Sequence, residues 1–144
     1  MVSTVKEYLE SYETLTKRID DIERELEAMR AEAEAIVPMS DGMPKEKIRS
    51  DKVGDLAARI ADTVSQLNNL RCELIDRRKC IANLIFAISD SRYSQILYRK
   101  YILLEGWNKI ADDLHYVPRH LYRLHGEALI EAESLLSQCS GNKG

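Results

Sequence analysis

Phenylalanine and tryptophan occur once each in this chain, glycine six times and proline three times. An all-β fold would have neither the aromatic packing nor the tight turns it requires. Cysteine is equally sparse. Cys72, Cys80 and Cys139 form no C-x-x-C pair, which removes zinc ribbons and thioredoxin-like redox motifs. The odd count, with no secretory signal pattern, fits reduced thiols in the cytoplasm, expected as buried small hydrophobes. No apolar run approaches the roughly 18 residues of a membrane span, so no membrane partner is expected. Glycine-rich phosphate loops and H-E-x-x-H are also missing. His115, His120 and His125 succeed one another at five-residue steps, about 500° of helical rotation, and so diverge rather than converge on a metal. The carboxylates of residues 7 to 34 read as a solvated helical surface rather than an acid and base pair. No enzyme, catalytic residue, metal or cofactor is expected.

The chain is instead rich in Ala, Leu, Glu, Arg and Ile, with 44% apolar residues among 144, enough for one ordinary domain or two small ones. The expected fold class is all-α. The net charge of -3 is unevenly distributed. Residues 1 to 89 hold 14 Lys+Arg against 17 Asp+Glu, whereas residues 91 to 125 hold six (Arg92, Arg99, Lys100, Lys109, Arg119, Arg123) against three (Glu105, Asp112, Asp113). A basic surplus therefore lies in the last third.

From Val5 the apolar positions read Val5, Tyr8, Tyr12, Leu15, Ile19, Ile22, Leu26, Met29, Ala33, Ile36, alternating steps of three and four. That is a heptad seam. Charges at helix-compatible positions, such as Glu23 with Arg24 and Glu27 with Arg30, flank it. Pro38, Gly42 and Pro44 then break the helix, giving a loop over 37–52 with Asp51 as the expected N-cap of the next helix. A second seam runs Val53, Leu56, Ile60, Thr63, Leu67, Leu70, Leu74, Arg77, Ile81, Leu84, Ile88, with Thr63 and Arg77 as polar exceptions. The two match in length, on the order of 50 Å each at about 1.5 Å per residue, and are expected to form a long antiparallel coiled-coil hairpin over residues 1–88. A pair of helices leaves a flank of each seam open, so the C-terminal helices or a second subunit should cover it, and a homodimer through the hairpin is expected.

Residues 89–138 carry a different pattern. Ser89, Asp90 and Ser91 are good caps for a supporting helix with Tyr93, Ile96, Leu97, Tyr101 and Leu104 at helical spacing, ending at Gly106. Next comes "WNKIADDLHYVPRHLYRLHGEAL". Its first helix, Trp107 to Leu114, has small Ala111 between Ile110 and Leu114, the pattern that a close crossing requires. His115 then stands where a turn demands a residue tolerant of positive φ, with Tyr116 as an apolar plug. Pro118 restarts the chain, since its missing N–H is harmless in the first turn. Leu121, Leu124, Ala128 and Leu129 form the inward stripe of this second helix. Arg119, His120, Tyr122 and Arg123 remain on the outward side, where a recognition helix presents base-reading groups to the major groove. Arg99, Lys100, Lys109 and the helix start at Pro118 are the candidate phosphate contacts. Gly126 inside this helix is unfavourable by up to about 1 kcal/mol relative to Ala, and a close helix approach is its expected reason. Residues 139–144 read as a frayed tail.

"YRKYILLEGWNKIADDLHYVPRHLYRLHGEAL" resembles the region-4 helix-turn-helix of sigma-70-type factors. It is more similar still to small regulators of Gram-positive phages and integrated elements, among them ArpU-like and RinA-like late-gene activators and a related family of uncharacterised domains. "DKVGDLAARIADTVSQLNNL" also resembles that last family, so the likeness spans most of the chain. It implies a phage or prophage transcription regulator in a bacterial cytoplasm, associated with the nucleoid when bound, with double-stranded DNA and RNA polymerase as partners. By that resemblance the base-contacting slots fall on Pro118, Arg119 and Arg123, with His120 and Tyr122 where the sigma pattern is usually basic. No core-polymerase-binding helical region of the full sigma type is recognisable, so a complete sigma factor is not expected. The alternative expectation is a coiled-coil interaction module that binds polymerase or a phage protein without reading DNA.

Overall fold

The computed structural model describes residues 2–36 and 46–141, with side chains over 4–36 and 51–138. The elements are α1 (Val2–Ile36), α2 (Glu46–Phe86), α3 (Ser91–Leu97) continued by one π-helical turn (Tyr98–Ile102), α4 (Trp107–Leu114) and α5 (Pro118–Gly141). No strand occurs among the described residues, and the fold is all-α, as composition led one to expect. None of the helices is long and apolar enough to cross a membrane among the described residues.

Without an internal glycine or proline, α1 runs unbroken for 35 residues. Of the loop expected over 37–52, residues 37–45 lie outside the described residues. From Glu46 the chain is already helical, so Asp51 sits inside α2 rather than capping it. Glu46, Lys47 and Arg49 are good helix formers and carry the helix upstream of the expected cap.

Contacts divide the chain into two compact units, residues 16–73 and residues 1–15 with 74–144. The expected boundary at residue 88 is not where they divide. In the unit of residues 16–73, Ile19, Leu26 and Met29 of α1 and Leu56, Leu67 and Leu70 of α2 are buried. Glu23 accepts a hydrogen bond from Arg71 at 2.7 Å, pairing with α2 rather than with its neighbour Arg24. Such exposed pairs add little stability, so the apolar seam holds the two helices together. Thr63 is tolerated on it because its hydroxyl donates to the Arg59 carbonyl at 2.8 Å. Cys72 in this unit and Cys80 in the other are exposed, contrary to the expected burial. Both stand off the seam defined by Leu70, Leu74 and Ile81, on the solvated side of α2.

In the other unit the early turns of α1 and the late turns of α2 share a core with the C-terminal helices. Val5, Leu9, Ile81 and Ile85 are fully buried there with Leu97, Ala128 and Ala132. Leu9 and Ile85 lie outside both seams. They are buried because α5 adds a third helix to the pair, widening the apolar face beyond a two-helix seam. Arg77, the other polar seam position, places its guanidinium 5.5 Å from the Tyr8 ring centroid, a cation–π contact. A second cluster, Ile96, Ile110, Ala111, Leu121 and Leu124, joins α3, α4 and the first half of α5.

Asp90 caps α3, accepting from the Arg92 amide at 2.9 Å. The supporting helix does not run straight to Gly106. After Leu97 it widens, and the Leu103 amide reaches back five residues to the Tyr98 carbonyl at 3.0 Å. The wider turn shifts the direction in which the next side chains point. Tyr101 and Ile102 stay buried, whereas Leu104, expected to face inward, takes φ 57° and is exposed. Gly106 is extended and caps α4 instead of ending the preceding helix. At the other end α5 runs to Gly141, so residues 139–141 of the expected tail are helical and 142–144 lie outside the described residues.

Among the described residues the close approach expected at Gly126 is not made, and neither is one at Gly54: a Cβ at either site would meet nothing within 4 Å. Both are helical glycines whose replacement removes unfolded-state freedom. Gly54→Ala should therefore raise stability by about 0.5–1 kcal/mol in urea unfolding; a loss would show that α2 contacts something at this position.

Candidate nucleic-acid interface

The corner between α4 and α5 consists of residues 115–117. His115 has φ 60° and ψ 41°, as its place in the sequence required. Its amide hydrogen-bonds the Asp112 carbonyl at 3.4 Å, and the Tyr116 amide reaches the Ala111 carbonyl at 2.9 Å. These two bonds form a Schellman closure, which satisfies carbonyls left open at the end of α4. Tyr116 packs half-buried against the Ile110–Leu121 cluster, and Pro118 opens α5. Ile110, Ala111, Leu121, Leu124, Ala128 and Leu129 are all buried, so the stripe read from the sequence is the face on which α5 packs.

That packing turns Arg119, Tyr122 and Arg123 to solvent together, with His120 half-buried beside them. Arg119 makes no ion pair or hydrogen bond among the described residues. Arg123 donates from Nη2 to His120 Nδ1 at 3.0 Å, and the His120 ring stands edge-on to Tyr116 at 5.2 Å. Tyr122 meets the edge of Trp107 at 5.5 Å between centroids, and Lys100 lies with its ammonium 4.7 Å from the centre of the same indole. The four expected base-reading residues thus share one side of α5, and Lys100 reaches its flank through Trp107.

Two of the expected phosphate contacts are engaged elsewhere. Arg99 donates to Asp113 at 2.9 Å and to Glu105 at 3.2 Å. Lys109 pairs with Glu105 at 3.5 Å. Glu105, largely buried at 14% side-chain exposure, therefore collects two cations and ties the π turn to α4. The Glu105–Lys109 pair, only four residues apart, is legible in sequence. The Arg99–Asp113 contact, across 14 residues, is not.

Beneath the exposed face lies a cluster that the sequence did not announce. The Tyr101 hydroxyl is 2.8 Å from His125 Nε2, the two rings stack at 5.8 Å, and Trp107 stands edge-on to His125 at 4.7 Å. Burial, then the positive charges of Lys6 and Lys100, pushes His125 down to about 4. Burial, reinforced by Glu10, pushes the Tyr101 phenol up. The imidazole is therefore neutral near pH 7, and its tautomer decides which of Nε2 and the Tyr101 hydroxyl donates. Among the described residues no group of three or more His, Cys, Asp or Glu could hold a metal ion.

No family model, curated protein or solved structure matches this chain.

The left-handed corner and the buried imidazole each lead to a measurable outcome. His115→Gly should stabilise the fold by about 1 kcal/mol and His115→Val should destabilise it by more, because only glycine adopts positive φ freely; equal melting temperatures for the two would mean that the left-handed turn is not maintained in solution. The second outcome concerns pH. His125 has a lower pKa folded than unfolded, so the unfolded chain binds more protons between pH 6.5 and 4. Its contribution is complete above pH 6.5 and is lost as pH falls towards 4. Because the ring is partly solvated, the loss should be on the order of 1–2 kcal/mol. Urea unfolding of the wild type and His125→Gln from pH 7.5 to 4.5 measures it; identical pH dependence in the two would place the proton uptake on other groups.

Proposed function

We propose that this protein is a non-enzymatic, sequence-specific DNA-binding transcription regulator of the phage or prophage kind, whose α5 enters the major groove from its Pro118 end. The observation that carries the reading is the face of α5: Arg119 and Arg123 stand exposed one turn apart, with Tyr122 beside them, on a helix seated by the Schellman corner at His115. Arginine is suited to bidentate contact with guanine O6 and N7. His120 orients Arg123 through their 3.0 Å contact. Lys100 and the amides at the start of α5 meet phosphates, whereas Arg99 and Lys109 act at one remove by holding Glu105 and Asp113. The paired helices α1 and α2 serve to bring two copies together or to meet RNA polymerase. The setting is the bacterial cytoplasm, at the nucleoid when bound.

A second reading is favoured by the internal compensation of Arg99 and Lys109, which leaves fewer free cations for phosphates. It is a protein-interaction module that binds polymerase or a phage protein without base readout. Salt separates the two, since DNA binding through several phosphates weakens log-linearly with ionic strength and an apolar groove contact does not.

The test is binding to duplexes from the DNA flanking the coding sequence, titrated at several salt concentrations. Arg123→Ala should weaken the preferred duplex by about 1–3 kcal/mol and relax its selectivity. Lys100→Gln should lower the salt slope by about 1. Arg99→Gln should weaken binding yet leave that slope unchanged. Wild-type protein that binds no duplex would overturn the reading in favour of the interaction module.

A further inference from the structure

Gly126, itself half-buried, lies on the side of α5 opposite its buried stripe, and no contact among the described residues explains it. It has helical backbone, and a Cβ there would meet no atom within 4 Å. An internal helix glycine is unfavourable relative to alanine. Gly54 is equally open, but Gly126 stands in the arginine row of α5, where glycine allows the backbone to be approached closely.

Its position points to what approaches. At 100° per residue, Gly126 is rotated about 20° from Arg119 and lies roughly 10 Å further along the axis. Arg123 stands between them in the same row. That distance is comparable to the roughly 12 Å width of the major groove. A helix whose first turn reaches base edges therefore meets the lip of the groove about two turns later, where the sugar-phosphate strand passes. A side chain at that crossing would hold the helix off, and glycine admits the strand to the helix backbone. The nearest acid, Glu127, is rotated about 100° from the glycine and accepts the Tyr93 hydroxyl at 2.8 Å, so it is drawn towards α3.

We infer that Gly126 is the point at which α5 crosses the DNA backbone, a contact that sets how deeply the Arg119–Arg123 face enters the groove. The inference rests on the DNA-binding reading above. As the contact is with the strand rather than with a base, it strengthens binding to any duplex and carries no sequence information.

The experiment uses the full chain with Gly126→Ala and Gly126→Leu. Unfolding is measured first, then binding to a flanking-DNA duplex and to an unrelated duplex of equal length over a salt series, with light-scattering masses of the free proteins. Both variants should melt at or above the wild-type temperature. Gly126→Leu should bind both duplexes more weakly by about tenfold or more, the effect of overfilling a close contact, and Gly126→Ala should lose less. The salt slope should stay at its wild-type value, because no charge is removed. Wild-type binding with undiminished binding by a folded Gly126→Leu overturns this inference alone. If Gly126→Leu does not fold, undiminished binding by Gly126→Ala overturns it. A fall in mass in step with lost binding also overturns it, assigning the glycine to a contact between two copies. Wild-type protein that binds neither duplex overturns the DNA-binding reading and this inference with it.

Discussion

Helix α5 is buried along one side through two successive cores, and the rest of the C-terminal architecture depends on that constraint. Leu121 and Leu124 belong to the cluster with α3 and α4, and Ala128, Leu129 and Ala132 belong to the cluster with the early turns of α1 and the late turns of α2. A rigid helix held at two places along its length cannot rotate about its axis without losing both contacts. The opposite side is therefore fixed in direction, and that side carries Arg119, Tyr122 and Arg123. Close packing of small Ala128 and Ala132 brings α5 near the helix pair, as short side chains allow.

The ends of the shorter helices serve the same constraint. His115 in the left-handed region lets α4 stop and α5 start within three residues. Upstream, the π turn and Leu104 at φ 57° let the chain leave α3 and begin α4 while Tyr101 and Ile102 remain buried. Two positive-φ residues other than glycine flank α4, and such conformations persist only where surrounding contacts over-determine them. The Glu105 cluster, which collects Arg99 and Lys109, supplies part of that support on one side. The Schellman bonds supply it on the other.

Charge in this region is divided between structure and surface. Arg92 is held by Asp90, whose carboxyl it keeps below the usual range through their side-chain hydrogen bond. Arg99 and Lys109 are held by acids of the linker and α4. Lys100 is held against an indole, an arrangement that leaves its charge uncompensated. The basic surplus counted along the sequence is thus larger than the charge the surface offers. The neutral His125 beneath Trp107 keeps the interior of this face uncharged.

The features that the sequence determined by itself were local. Periodicity of three and four marked most of the inward side of the long helices, because apolar burial acts on the residues of a helical face alike, although Val53 of the α2 seam stands exposed. The stop at Leu114, the left-handed His115 and the start at Pro118 were legible because each depends on one residue's backbone preference. Tertiary structure alone decided matters that depend on residues distant in the chain. The burial of Leu9 and Ile85 needed a third helix. Arg99 turned from solvent to Asp113, 14 residues on. The helix after Leu97 widened to keep Tyr101 in the core, leaving Leu104 exposed. Gly126 lost its expected internal neighbour once α5 was in place. Pairwise contacts between remote residues leave no periodic trace in a single sequence, so these were settled only when the helices packed.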